Sequence, residues 1–148
     1  MNGSRELSEH KRRVAAVYNL AAAGYDKPAM HFFLRAATHL VQFAEIQSGQ
    51  TILDAATGTG AAAIAAARVV GPTGRVVGVD IAKDMLEQAR RNVAAAGLTN
   101  IELREGDAEY LPFEDHNFDT VICASSIFFL ADMVAGLREW RRVAKSGG

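Results

Sequence analysis

The chain has 148 residues, of which 49% are hydrophobic and 22% are charged, with a formal net charge of −1 at pH 7. This composition excludes intrinsic disorder, which requires low hydrophobicity together with high net charge, and the length fits one domain with an ordinary core. Because 16 basic residues nearly balance 17 acidic ones, we expect no nucleic-acid partner bound through phosphate neutralisation.

Cys123 is the single cysteine of the sequence, which excludes an internal disulfide and a cysteine-based zinc site. Its apolar, strand-like surroundings predict an inert thiol, and the cysteine count fits a reducing, cytoplasmic setting. The four histidines are scattered, so we expect no metal site. The apolar stretch over residues 120–130 is too short and too polar to cross a bilayer, so we also expect no membrane span.

Two amphipathic helices are predicted at the N-terminus, over residues 8–23 and 29–43, with turn and restart residues in "GYDKP" between them. The residues predicted to face inward are Val14, Val17, Tyr18 and Ala21 on the first helix and Phe32, Phe33, Ala36 and Leu40 on the second. We therefore divide the chain into an N-terminal helical cap (residues 1–46) and an α/β core (residues 47–148).

From Thr51 onward short apolar strands alternate with helices. The predicted strands are "TILDA", "RVVGVD", "NIELREGD" and "FDTVICAS", and the predicted helices are "GTGAAAIAAARVV", "AKDMLEQARRNVAAAG" (with Gly97 as its C-terminal cap) and about 133–143. Strands joined by helices of this length pair in parallel through right-handed crossovers. The predicted fold class is α/β, a Rossmann-like doubly wound parallel sheet with two helices in front.

Polar residues follow the carboxyl ends of the four predicted strands: Asp54, Asp80, Asp107 and the pair Ser125 and Ser126. In a doubly wound sheet, ligands bind outside these ends. Each residue alone is a weak signal, because a strand can end in any polar residue. Together they predict a binding site.

The loop "GTGAAA" after the first strand satisfies the G-x-G-x-x-A fingerprint, and Asp80 lies where the ribose-binding acid of a dinucleotide site belongs. An NAD-binding oxidoreductase domain is therefore one hypothesis. Asp54 argues against it, because a carboxylate repels a pyrophosphate but stabilises a cationic ligand. S-adenosylmethionine carries an ammonium and a sulfonium and no phosphate, and we predict it as the ligand.

This ligand gives each strand end a role. Asp80 accepts hydrogen bonds from both ribose hydroxyls, and Asp107, with the backbone around Ala108, meets the adenine amino edge. Gly58 and Gly60 let the backbone approach the ligand without a Cβ in the way.

Four blocks carry a resemblance to a known family: "LDAATGTG", "VVGVDIAKDMLEQAR", "GDAEYLPFEDHNFDTVICA" and "LREWRRVAKSGG". In this order they resemble a class I S-adenosylmethionine-dependent methyltransferase of the ubiquinone/menaquinone-biosynthesis-like branch. The segment "VYNLAAAGYD" also resembles the N-terminal part of that branch. The resemblance implies methyl transfer to a small-molecule acceptor, with S-adenosylhomocysteine as product. A non-catalytic module that binds the cofactor is the alternative.

The resemblance also implies where the cofactor lies, with its methionine end at the glycine loop, its adenine between Ile81 and Met85, and Ser125 in the wall of the cofactor and acceptor pocket. The complete set of predicted cofactor-binding residues is Tyr25, Asp54, Ala55, Ala56, Thr57, Gly58, Gly60, Asp80, Ile81, Met85, Gly106, Asp107, Ala108, Glu109 and Ser125.

No Ser/His/Asp or Cys/His constellation is present, which agrees with an in-line methyl transfer that needs alignment more than a nucleophile. The catalytic residue stays unidentified, and His31 is a candidate general base that we weigh against a structural role. Tyr25 fits a place over the cofactor and a place in the core equally well, whereas Tyr18 is interpreted as a core residue.

The family continues with a fifth strand, a helix and a hairpin after the "GG" at 147–148. We therefore expect that the chain is a fragment of a longer protein, or else is completed by association. In either case the fourth strand forms an exposed edge, through which a homo-oligomer could pair.

Overall fold

The computed structural model describes residues 7–148, the N-terminal six residues lying outside the described part. Its elements are α1 (Glu9–Tyr25), a 3₁₀ turn (Pro28–Met30), α2 (His31–Phe43), β1 (Thr51–Ala55), α3 (Ala61–Val70), β2 (Arg75–Asp80), α4 (Lys83–Ala95), β3 (Ile101–Glu105), β4 (Thr120–Ile122), a second 3₁₀ turn (Ile127–Phe129) and α5 (Met133–Val143).

The four strands form one parallel sheet in the order β3-β2-β1-β4. In register, Leu53 of β1 lies between Val77 of β2 and Val121 of β4. The chain adds β2 and β3 on one side of β1 and then crosses to add β4 on the other side. The sheet therefore has a switch point between β1 and β4, where doubly wound sheets bind ligands. The predicted fold class is confirmed.

Both faces of the sheet are covered, which is why β1 and β2 are nearly continuous apolar runs. On one face, Ile52 and Val76 pack against α3, whose inward side is made of alanines, with α2 outside it. On the other face, Leu53 and Val77 pack against Trp140 of α5. Trp140 also donates its indole N–H to the Ala108 carbonyl over 2.8 Å, which attaches α5 to the segment after β3.

The predicted inward faces of α1 and α2 are right in part: Val14, Tyr18 and Phe33 face a cavity, and Leu40 packs on the core. Val17 is 62% exposed, and the buried residue of α1 is Ala22. Phe32 and Ala36 are likewise exposed. Helix α2 instead buries Ala37 and Val41, in the same core cluster as Ile52, Val76 and the alanines of α3. The small Ala37 side chain explains this choice, because it lets α2 pack closely on the alanine-rich α3.

Strand β4 is shorter than predicted and stands at an edge of the described sheet. It ends at Ile122, and the following segment reaches Ser125 with a left-handed φ of 58°, which cannot continue a strand. Gly97 lies just after α4 with φ 66°, as a C-terminal cap requires. Within residues 7–148, no helix has both the length and the apolar character that a bilayer crossing requires.

Replacing Trp140 by alanine should lower the free energy of unfolding by about 3–5 kcal/mol, because it empties the space between α5 and the sheet and leaves the Ala108 carbonyl without its donor. Urea denaturation measures the change. The control is Leu137→Ala on the same helix, where the side chain is 50% exposed and the expected loss is about 1 kcal/mol or less. Equal losses in the two variants would contradict the packing described here.

Candidate functional site

A cavity of about 940 Å³, counting its open mouth, lies at the carboxyl ends of the strands. Segments that follow all four strands contribute to its wall, as the sequence predicts, and α1 covers it. The lining residues are Lys11, Val14, Ala15, Tyr18 and Tyr25 of α1, Phe33 and Ala37 of α2, residues 56–59, 61 and 62 after β1, residues 80–82 and Met85 after β2, residues 106–109 after β3, and residues 124–126, Phe129 and Leu130 after β4.

The glycine loop between β1 and α3 adopts a backbone that favours glycine. Gly58 and Gly60 have φ values of 57° and 85°, a region that L-residues with a Cβ rarely occupy. A Cβ on Gly58 would also lie 3.3 Å from Cε of Met85, inside the cavity wall. Glycine at position 58 therefore lets the loop keep this course without backbone strain and without a shift of the Met85 side chain.

Asp80, the last residue of β2, fixes this loop to the sheet. Its Oδ2 accepts the Gly58 N–H over 2.8 Å, and its Oδ1 accepts the Ala82 N–H over 2.8 Å. Burial raises the pKa of this carboxyl against the lowering effect of these N–H groups. Each carboxylate oxygen keeps a second lone pair, so Asp80 can accept further hydrogen bonds from a ligand in the cavity.

Asp54 lies beneath the loop rather than in the wall. The residue is 1% exposed, and its Oδ2 accepts the Thr57 hydroxyl over 2.6 Å. Its Oδ1 makes no hydrogen bond of ordinary length and angle, although the Ala63 N–H acts on the carboxylate electrostatically. Burial raises the pKa of Asp54 to about 7 against these two groups. Thr57, which lines the cavity, thus stands between Asp54 and the ligand space.

Three charged side chains meet at the far end of the cavity. Nζ of Lys11 lies 2.6 Å from Oδ2 of Asp107 and 2.9 Å from Oε2 of Glu109. Burial lowers the pKa of Lys11, but its hydrogen bonds to the two acids outweigh this and raise it overall. Because Asp107 also accepts the Glu109 N–H over 2.9 Å, both of its oxygens already have a partner.

Aromatic rings form the side of the cavity beneath α1. Tyr25 stacks on Phe33 with 5.3 Å between ring centroids, and Tyr18 meets Phe129 edge-on at 5.3 Å. Burial raises the pKa of Tyr18 to about 12, so its hydroxyl is neutral at ordinary pH. Tyr18 was interpreted as a core residue, and it does pack on the core residues Ala22, Ala82 and Met85, while its ring also lines the cavity.

Twelve of the fifteen predicted cofactor-binding residues line the cavity, and Asp54, Ala55 and Gly60 lie outside its wall. The candidate base His31 is exposed at the start of α2 and is also outside the wall. Burial raises the pKa of Cys123 to about 12, which suits the expected inert thiol.

Sequence reasoning placed Tyr25 at the ligand but missed the contribution of the rest of α1 to the wall: Val14 was expected only to face inward, and Lys11 was not considered. The signal was available, because Lys11, Val14, Tyr18 and Tyr25 recur at the spacing of one helix face. An alanine-rich helix offers little contrast between its faces, and the lysine was not expected on an inward one.

Comparison with known proteins identifies the family. Residues 52–148, more than half of the chain, match the family described as "Methyltransferase domain". The chain belongs to this family. The matched range contains β2, β3, β4, all of β1 except Thr51, the glycine loop and the three segments that follow β2, β3 and β4.

The methyltransferase domain has relatives among curated proteins and solved structures. Aklanonic acid methyltransferase DauC of Streptomyces sp. (strain C5) is 36% identical over 95% of this chain and 64% of its own length. The demethylmenaquinone methyltransferase of Geobacillus kaustophilus is 35% identical over 93% of this chain and 61% of its own. The chain thus spans about three fifths of these relatives.

A solved structure described as a SAM-dependent methyltransferase from Aquifex aeolicus superposes with a TM-score of 0.75 and 26% identity, over 86% of this chain and 67% of that one. The cofactor of the methyltransferase domain is accordingly S-adenosylmethionine, and its product S-adenosylhomocysteine.

The cavity fits this cofactor on its own chemistry. Its charged lining consists of three carboxylates (Asp80, Asp107, Glu109) and the ammonium of Lys11, which is already paired. A net negative wall attracts a ligand with a sulfonium and an ammonium and repels a pyrophosphate. The NAD-binding alternative is therefore not favoured. Beside the glycine loop of the methyltransferase domain, the buried carboxyl of Asp54 has an Oδ1 without a hydrogen-bond partner, and a cation nearby would favour its ionised form.

The raised pKa of Asp54 predicts a pH-dependent stability. Between its ordinary value of 3.8 and about 7, the folded chain holds a proton that the unfolded chain has lost, so the free energy of unfolding falls as pH rises through this range. Asp54→Asn removes this dependence. Relative to the wild type, the variant should therefore gain on the order of 2–4 kcal/mol between about pH 4.5 and pH 8.

Urea denaturation at several pH values measures this difference. Asp119→Asn is the control, because Lys145 holds the pKa of Asp119 below its ordinary value and the carboxyl titrates at lower pH. Its difference from the wild type should be flat over the same range. A flat difference for Asp54→Asn as well would show that the Asp54 carboxyl is not protonated in the folded chain.

Proposed function

We propose that this chain binds S-adenosylmethionine in the cavity and transfers its methyl group to a small-molecule acceptor. The observation that carries the proposal is the acidic cavity built by a glycine loop and three carboxylates at the ends of parallel strands. Family membership supports it. In this proposal residues 47–148 hold the cofactor, and residues 1–46 act as a helical cap over it. The single cysteine supports a cytoplasmic setting.

The ribose and adenine are assigned to the segments after β2 and β3. Asp80 would accept hydrogen bonds from the ribose hydroxyls through the lone pairs that Gly58 and Ala82 leave free. The apolar side chains of Ile81 and Met85 would flank the adenine. Its amino group would share the Asp107 carboxylate with Lys11, and the backbone around Ala108 would complete the polar edge.

The methionine end is assigned to the glycine loop. Ala56 and Thr57 would contact it from the wall, and Ala55 and Gly60 would hold the loop from behind. Asp54 would act here through its charge and through Thr57 rather than by direct contact. A cation in the cavity favours the ionised form of a buried carboxylate. A cationic ligand would therefore offset part of the cost of burying the Asp54 charge, which favours its binding.

The bound cofactor supplies a methyl group that its sulfonium already activates for displacement. The chain's own contribution is then to bind, orient and exclude water, which can provide several kcal/mol of the barrier reduction. Tyr18 and Tyr25 cover the cavity from α1, and Phe129 closes it from the side. His31 lies outside the wall, so we assign no general base.

The acceptor is assigned to the part of the cavity beside α2 and β4. Phe33, Ala37, Ala124 and Leu130 make this part apolar, and Ser125 adds a polar group. A small molecule with an apolar ring system suits such a wall. The relatives named for demethylmenaquinone and aklanonic acid support this class of acceptor.

Isothermal titration with S-adenosylmethionine should show saturable binding, whereas NAD should show none because the acidic wall repels its pyrophosphate. Incubation with S-adenosylmethionine and either demethylmenaquinone (reduced) or aklanonic acid should then yield S-adenosylhomocysteine, measured by mass spectrometry. Binding without turnover on any ring-containing acceptor would favour the alternative of a non-catalytic binding module. Binding of NAD instead would overturn the proposal.

Asp80→Ala should weaken the binding of S-adenosylmethionine by about 1.5–3 kcal/mol, the range for hydrogen bonds that involve a charged group. Titration calorimetry of the folded variant measures the change. Glu105→Ala is the matched control, because Glu105 is the register partner of Asp80 on β3 but does not line the cavity. Equal affinity of the Asp80 variant and the control would disprove the ribose assignment.

A further inference from the structure

The carboxylate of Asp26 joins three separate parts of the molecule. Its Oδ1 accepts the Thr59 hydroxyl over 2.7 Å, and its Oδ2 accepts the Asn92 side-chain N–H over 2.7 Å. Asn92 also donates to the Thr59 carbonyl over 3.0 Å. The end of α1, the glycine loop and α4 are therefore tied by one network of side chains.

Thr59 is the middle residue of the loop that Gly58 and Gly60 flank. Its neighbours are fixed from the sheet side, since Gly58 donates to Asp80 and Gly60 donates to the Thr57 carbonyl over 2.9 Å. Thr59 is fixed from the opposite side, by Asp26 and Asn92. Glycines give a chain more conformational freedom to lose on ordering, so this outer attachment restricts the residue between them.

Asp26 also lies directly after Tyr25, whose ring lines the cavity and stacks on Phe33. Asp26 is thus joined to Tyr25 through the backbone and to Thr59 through its side chain. Thr59 itself is 4% exposed and lines the cavity. An ordered glycine loop and a fixed position of Tyr25 over the cavity consequently favour each other.

We propose that Asp26 is a positioning residue, which holds the glycine loop through Thr59. It thereby couples that loop to the roof of the cavity, formed by Tyr18 and Tyr25 of α1. The effect on ligand affinity rests on the proposed function, namely that the cavity binds S-adenosylmethionine. The effect on loop order does not depend on it.

A double-mutant cycle on the full chain tests the proposal without ligand. Asp26→Ala and Thr59→Val should each raise hydrogen exchange in residues 57–61 and 18–25 by about tenfold, because each removes the same charge-assisted hydrogen bond. The double variant should exchange no faster than Asp26→Ala, which also removes the Asn92 contact. Exchange in β1 and in α5 should stay unchanged, which separates local loosening from global unfolding.

The second arm measures affinity by titration with S-adenosylmethionine. Asp26→Ala should weaken binding about tenfold, Asp26→Asn should recover part of the loss because it keeps one oxygen acceptor, and the double variant should match Asp26→Ala. Glu114→Ala removes an exposed carboxylate that does not line the cavity and should bind like the wild type.

Three results decide between the ideas. If hydrogen exchange in Asp26→Ala rises only in α1, Asp26 acts only as the C-terminal cap of this helix, and the proposal is overturned. Additive effects of the two substitutions would overturn it as well, because they would act through different contacts. A wild type that fails to bind S-adenosylmethionine would refute the proposed function, while the exchange cycle would still decide the role of Asp26.

Discussion

The burial of both sheet faces is the constraint on which the rest of the molecule depends. With α3 and α2 on one side and α5 on the other, β1 and β2 have little room for polar side chains along their length. Polar groups can therefore gather only where the strands stop, and the switch point between β1 and β4 opens a space at those ends. The cavity follows from the topology, and its chemistry follows from the residues that end each strand.

Those residues give the cavity a shared electrostatic character. Asp80 is held by backbone N–H groups, Asp107 and Glu109 by Lys11, and Asp54 by Thr57. In Asp54 and Asp80, burial raises the pKa despite these partners. Burial thus destabilises the ionised forms of these two carboxyls, and a cationic ligand would stabilise them.

The strand-end pattern made the core of the site predictable, because the period of the strands and the positions of Asp54, Asp80 and Asp107 are properties of local sequence. The glycine loop was predictable for the same reason. The inner face of α1 was predictable only in part, since this alanine-rich helix shows little contrast between its faces: Tyr18 faces inward as expected, whereas the neighbouring Val17 is exposed. Thr57 separates Asp54 from the cavity because the glycine loop turns back over the end of β1. The spacing of residues in the sequence does not reveal this turn.

Helix α1, which covers the cavity, fully buries one residue, Ala22, which packs with Ala82 and Met85. Polar contacts such as those of Lys11 and Asp26 attach other parts of the helix. A helix attached in this way has a smaller opening free energy than the sheet beneath it. Opening of this one helix would widen the path of a ligand to solvent while the sheet stays folded. The residence time of that ligand and the thermal stability of the domain are therefore separate quantities, which substitutions can change independently.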